Sequence, residues 1–407
     1  ITFSTIGEGR GLRRASTGQS MSYRRVLVLI KQTAFDAYTA QQRIAAAAGH
    51  TLSYEAVRMD RLRERHDTHM MQVDRITEWL TARGVDLTSV MRDDATQDHV
   101  READLVLALG GDGTTLIASH LLRDHRGPPL LGVNTDRASI NDLATLYRSS
   151  EPVDMRRSTG HLCATTASGD MEKTLTEVLN GDVSPTELAR IRCVVAGEEL
   201  APALNDVLIA HPSPGAVSRY SVHVGGAVPK YTDEYAAAEG RLNARLAMPK
   251  SDLEKLQNDP ARTDWKKRGP PLWFHVRSSG LRTCTASGST AAMRSAGGEP
   301  MHYLSRRMQF MDREPIYHDH APPPSDGHGF YEDGKEMCLR WNSRVGTVYL
   351  DGAHVTHEVK MGDRVTLSTN APPLRLFTSA WFRRNHADRW PTLRKPDSAG
   401  EDDWIIE

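Results

Sequence analysis

Leu105-Val-Leu-Ala-Leu-Gly-Gly-Asp-Gly-Thr-Thr-Leu-Ile-Ala-Ser-His120 reads as a buried strand, a glycine turn carrying an acid, and a helix. Five consecutive apolar residues fit a strand covered on both faces. Glycine lets a ligand approach the main chain closely. An acid in such a turn stands at the carboxyl end of a strand, where open α/β sheets bind ligands. Asp112 then either does chemistry or caps the helix that follows it. The amides of Gly110, Gly111, Gly113 and Thr114, with the helix amino terminus, favour a phosphate group. A carboxylate beside a hydroxyl acceptor can take its proton as it attacks phosphorus.

On either side of this stretch the pattern repeats. Arg25 to Lys31 is a continuous apolar run, and Pro129 to Val133 is a third short strand that leads to Asn134. Tyr38 to Ala48 is Ala- and Gln-rich and reads as a helix, and Val73 to Ala82 carries apolar residues at helical spacing. Strand, helix, strand, helix, strand describes a parallel, Rossmann-like α/β sheet with right-handed crossovers. After about residue 155 the pattern changes. Beyond one helix at Met171 to Leu179, the runs Arg190–Ala196, Ala203–Ile209, Val217–Val224, Gly346–Asp351 and Arg364–Ser368 are short and β-branched, as in a β-rich domain. Asp351-Gly352 marks a hairpin with His354–Val359 as the returning strand.

The expected organisation has four parts. Residues 1–23 are a disordered or non-native tail with a weak transit-peptide composition. Residues 24–155 form the α/β catalytic domain. Residues 156–375 form the β-rich domain, interrupted by a charged surface insertion at 226–271. Residues 376–407 are a tail, rich in Arg, Asp and Pro and read as loose from about Trp381. A second mobile loop is expected at 316–330.

Composition excludes several classes. The chain has 407 residues, 39% hydrophobic and 25% charged, with a formal net charge of -1. No global positive field is present for nucleic acid. No apolar run is long enough to span a bilayer. Four dispersed cysteines form no CxxC pair and fit reduced thiols in an intracellular compartment. Neither GxGxxG nor GxxxxGK[ST] occurs, which disfavours Rossmann dehydrogenases and P-loop kinases. The histidines match no ligand pattern, His318 and His320 read as solvated, and no protein metal ligands are assigned.

Two further constellations carry polar chemistry. Asn205-Asp206 interrupts the apolar run Ala203–Ile209, and two polar residues in a buried strand need partners. A ligand would satisfy them, as would a bulge or an internal pair. Ser278 to Gly298 feeds a strand into a Ser/Thr/Gly turn, with a helix expected from Thr290. Small hydroxyl residues there either cap the helix or face a ligand.

Taken in order, these motifs resemble the NAD kinases, and most closely the plant-type NADH kinase branch. Ser158–Cys163, Ser278–Met293, Leu131–Asn134, Ala203–Asp206, Gln309-Phe310 and Arg313–Pro315 carry the resemblance, over roughly 24–32 and 100–380. It implies an α/β domain and a β-rich domain of the NAD kinase/diacylglycerol kinase type, with the site between them. It implies transfer of the ATP γ-phosphate, with Mg²⁺, to the adenosine ribose 2′-hydroxyl of NADH or NAD⁺. Asp112 matches the base. Asn205 and Asp206 match the family's Asn-Glu pair on the dinucleotide. Ser287, Thr290, Ala291 and Ser295 match positions lining its pocket. A homodimer or larger assembly and a cytoplasmic location, with a peroxisome or another organelle as the alternative, are the corresponding expectations.

Three positions depart from the family pattern: Asp206 replaces Glu, Ala292 replaces Tyr, and Ser279 replaces Asp. These changes are expected to accompany a preference for NADH. The alternatives are a lipid or sphingoid-base kinase with a GGDG-type loop, and a non-catalytic dinucleotide-binding sensor.

Overall fold

The structure is a computed structural model that describes residues 21–50, 59–135, 160–223, 273–316 and 327–387. The insertion at 226–271, His318 and His320, residues 1–20 and residues 388–407 lie outside them.

The amino-terminal half supplies β1 (Arg25–Ile30), α1 (Ala34–Ala47), α2 (Met59–Thr81), β2 (Asp86–Met91), α3 (Gln97–Arg101), β3 (Leu105–Leu109), α4 (Asp112–Leu121) and β4 (Leu130–Asn134). Next come β5 (Thr165–Thr166), α5 (Met171–Asn180), β6 (Thr186–Leu188), β7 (Arg192–Val195), β8 (Glu198–Glu199), β9 (Asp206–Ala210), β10 (Ser218–His223), β11 (Trp273–Ser278) and β12 (Gly280–Cys284). The remainder is α6 (Ala286–Ser289), α7 (Ala292–Ser295), β13 (Met308–Arg313), β14 (His328–Tyr331), β15 (Met337–Trp341), β16 (Val345–Leu350), β17 (Val355–Lys360), β18 (Arg364–Ser368), β19 (Leu374–Phe377) and α8 (Ala380–Ala387).

The first sheet runs β2-β1-β3-β4-β19-β6, with β5 paired to β4. β1 to β4 are mutually parallel. β3 and β4 are buried along their whole length, as the apolar runs require. One face packs Val26, Val28, Leu105 and Leu107 under Ile76 and Leu80 of α2 and Leu175 of α5. The other packs Leu27, Leu29 and Val106 under Ala118 of α4 and Phe382 of α8. The order reverses between β1 and β3, so the carboxyl ends of these two strands form a switch point. Asp112 follows β3 there, and the Lys31 amide at the end of β1 donates to Leu109 O at 3.0 Å.

The second half is a sandwich of two antiparallel sheets, β11-β10-β15-β18-β7-β8 and β14-β13-β12-β9-β16-β17. Trp341, Tyr220, Ile209, Leu281, Val348 and Leu350 fill the space between them.

Several elements differ from the sequence expectation. The first sheet takes in β5, β6 and β19, and α5 packs on it, although these lie in segments read as the second domain and the tail. The tail holds a helix, α8, which buries Phe382 and His386, so 380–387 is not loose. β14 occupies the end of the expected 316–330 loop, while 317–326 lie outside the described residues. β2, an edge strand with no apolar alternation, went unread. The expected helix from Thr290 is two single turns, α6 and α7, and the first starts at Ala286. Thr285 caps it by accepting from the Gly288 amide, which ends the strand earlier than the run of small residues suggested.

Candidate active site

β3 delivers its glycine turn with strict geometry. A Cβ on Gly110 would lie 2.2 Å from Thr114 Oγ1 and 3.0 Å from Lys31 Cβ, so packing itself demands glycine. Gly111 is the helix N-cap and makes no side-chain cap bond. A Cβ on Gly113 would meet nothing within 4 Å. The protein's own packing therefore does not require glycine at 113, and an approaching ligand would. Thr114 is buried, and its hydroxyl has no hydrogen-bond partner among the described residues.

Asp112 does not cap its helix. It is the first helical residue, and its Oδ1 accepts the Leu162 amide at 2.8 Å. Leu162 belongs to the Gly160–Cys163 part of the Ser158–Cys163 motif. Gly160 has φ +70°, and a Cβ there would lie 2.6 Å from Asn134 Nδ2. The segment before β5 and the turn after β3 are thus packed together. Cys163 lies at this contact, fully buried, with Sγ 3.9 Å from the Gly110 carbonyl. Burial first, and then the Asp112 charge, push its thiol far up, so it is an inert packing residue.

Asn205 and Asp206 sit at the start of β9 rather than inside a strand, which corrects their expected placement. Their amides both donate to Asp351 Oδ1, at 2.6 and 3.0 Å. Asn205 Oδ1 is buried with no partner among the described residues. Asp206 is ion-paired with Arg282 on the neighbouring strand β12. Burial raises the Asp206 pKa, Arg282 opposes that rise, and Asp351 adds to it.

The turn after β12 lies against this pair. Thr285 N donates to Asn205 O at 3.0 Å, and the Thr285 hydroxyl donates to Leu204 O. A Cβ on Gly288 would fall 2.0 Å from Asn205 O. Ser287 is buried at this junction, and Thr290 is half-buried. Ala291 and Ser295 are exposed at the ends of α7, and no contact among the described residues joins their side chains to the site.

Sequence reading missed α8, which touches both halves. His386 is 1% exposed, donates from Nδ1 to Phe382 O at 2.9 Å, and accepts at Nε2 from the Thr290 hydroxyl at 3.2 Å. Trp381 packs on His161, the residue before Leu162, with ring centroids 4.4 Å apart. Burial lowers the His161 pKa, and the charge of Asp112 raises it. The only available signal for α8 was the apolar pair Trp381-Phe382 in a charged segment.

Among the described residues no three His, Cys, Asp or Glu side chains converge as a metal site. A groove of about 890 Å³, lined by Asp104, Arg123 and Arg375, lies at the amino ends of the strands, away from Asp112. The arrangement at the carboxyl ends can orient a carboxylate, bind phosphate on backbone amides and hold a polar ligand at Asn205.

Residues 26–146 match the ATP-NAD kinase N-terminal domain. The chain is 34% identical over 363 residues to a probable NADH kinase of Oryza sativa subsp. japonica, covering 88% of this chain and 97% of that protein. It is 35% identical over 359 residues to an NADH kinase of Arabidopsis thaliana, covering 88% and 97%. A solved NAD kinase from Archaeoglobus fulgidus in complex with ATP shares the fold, with a TM-score of 0.53, 15% identity, and coverage of 89% of this chain and 96% of that one.

Proposed function

The chain belongs to the NAD kinase family, and on that premise we propose that it transfers the ATP γ-phosphate to the adenosine ribose 2′-hydroxyl of NADH or NAD⁺. The observation that carries this reading is Asp112, held by the Leu162 amide at the switch point beside an unobstructed Gly113.

Asp112 accepts the 2′-hydroxyl proton as the oxygen attacks phosphorus. Gly111, Gly113 and Thr114 present amides and a buried hydroxyl to the phosphates. Gly110 keeps the turn tight. Asn134 braces the neighbouring turn through its contact with Gly160. Asn205, Asp206, Ser287 and Thr290 bind the dinucleotide. The exposed Ala291 and Ser295 contribute at its edge.

Mg²⁺ would enter bound to ATP and neutralise phosphate charge. The β-rich part is taken as the oligomer contact in a homodimer or larger assembly, which light scattering tests. A cytoplasmic or organellar location is decided by fractionation. No helix among the described residues is long and apolar enough to cross a membrane.

The relatives at 34 and 35% identity are dinucleotide kinases by name, which favours this reading over a lipid kinase. ADP release with ATP and NADH, NAD⁺ or diacylglycerol tests it. Release with a dinucleotide and formation of its 2′-phosphate is the expected result. Release only with diacylglycerol, or with none, overturns it.

A further inference from the structure

α4 begins at Asp112 and its last turn carries His120. His120 Nε2 donates to Asp351 Oδ2 at 2.8 Å, and the two side chains are 6% and 0% exposed. The same carboxylate accepts three consecutive amides from the dinucleotide loop: Leu204 at 2.7 Å on Oδ2, then Asn205 and Asp206 on Oδ1. The Asp351 amide returns a bond to Asp206 O at 2.9 Å. One buried carboxylate thus takes four donors, one from the α/β sheet's helix and three from the β sandwich.

The surroundings keep it in place. Asp351 lies at the β16–β17 hairpin with φ +52°, and His354 of the same hairpin stacks on His120 at 5.2 Å. Arg190 donates to Ser119 O and Leu122 O at 3.0 and 2.7 Å, which holds the carboxyl end of α4 from the other side. A helix of ten residues is a rigid rod about 15 Å long. Fixing its last turn fixes the position of its first, where Asp112 lies.

We propose that His120 and Asp351 form a positioning latch that sets the distance between the Asp112 turn and the Asn205–Asp206 loop. Neither residue touches the reacting atoms. The latch ties the group that takes the proton to the loop that holds the acceptor, so its loss slows phosphoryl transfer more than it weakens binding. The proposal rests on the dinucleotide-kinase reading above.

The test compares His120→Gln with His120→Asn. The glutamine amide nitrogen reaches the place of Nε2, whereas the asparagine nitrogen stops at the place of Nδ1. Both variants are polar and similar in bulk. His120→Asn is expected to lose on the order of 10- to 100-fold in kcat, with KM for the dinucleotide within about threefold of the parent, and His120→Gln to stay within about threefold throughout. Amide exchange at Leu204, Asn205 and Asp206, read without substrate, is expected to quicken in His120→Asn only. Equal kcat in the two variants, whether kept or lost, overturns the latch. If the parent enzyme phosphorylates neither dinucleotide, the functional reading fails, and the exchange rates alone decide the latch: no quickening in His120→Asn overturns it.

Discussion

The Leu162 amide donates to Asp112 Oδ1 at 2.8 Å, across a sequence separation of 50 residues. This bond joins the turn after β3 to the segment before β5 and aims the carboxylate without using it as a helix cap. The donor is the protein's own backbone, so this contact to the carboxylate needs no ligand.

Gly113 and Gly288 separate a ligand's demand for glycine from the protein's own. A Cβ at 113 meets nothing, so Gly113→Ala is expected to raise stability by about 0.5–1 kcal/mol while cutting turnover, because the helix gains and the phosphate path narrows. Thermal melts and steady-state rates check this. An active, stabilised Gly113→Ala contradicts the phosphate-turn assignment.

Gly288→Ala is expected to do the opposite. Its Cβ would press on the Asn205 carbonyl carbon at 2.6 Å, which is backbone and cannot swing away. A cost of about 1–3 kcal/mol in stability is expected, together with a raised KM for the dinucleotide. Unchanged stability and KM would show that the two loops do not share a site.

Much of this was legible in sequence because it rests on pattern. Five apolar residues before Gly110 gave β3, and Asn205-Asp206 stood out as polar residues in an apolar run. The unread parts have no pattern of their own. β2 exists through pairing with β1, and its side chains are mostly exposed or half-buried. α8 is polar overall and gains its place from Phe382 and His386 buried under the first sheet and the Thr290 turn. Joining β19 and the two-residue β5 to the first sheet needs long-range contacts that no local period encodes.

Asp206 and Arg282 bear on the choice between NADH and NAD⁺. The nicotinamide ring of NAD⁺ is cationic and that of NADH is neutral. Asp206→Asn would leave the Arg282 guanidinium uncompensated in a half-buried pocket. The kcat/KM ratio of NADH to NAD⁺ is expected to rise by about 3- to 30-fold, as about 0.7–2 kcal/mol of unfavourable charge contact implies. An unchanged ratio would place the nicotinamide ring away from this pair.

Acid stability should turn on buried histidines. His302 is buried with Nε2 unpartnered among the described residues, and burial, then His386, lower its pKa from 6.5 to about 4. The unfolded chain takes up this proton first, so the contribution present above pH 6.5 is lost as pH falls toward about 4. Asp312 has the opposite sign. Burial raises it from 3.8 to about 6 against the Tyr220 hydrogen bond, so falling pH through that range favours the folded state. Relative to the parent, the urea midpoint should therefore fall less, or rise, between pH 7 and pH 5 in His302→Gln and fall further in Asp312→Asn. Parallel shifts in both variants would contradict this.

The most direct measurement is the rate of ATP-dependent NADPH formation from NADH by the parent enzyme and by Asp112→Asn, with a thermal melt of each. Asp112 as base predicts a parent enzyme that forms the 2′-phosphate and an equally stable variant slower by about 10²- to 10⁴-fold. A folded Asp112→Asn that keeps most of the parent's turnover would contradict it.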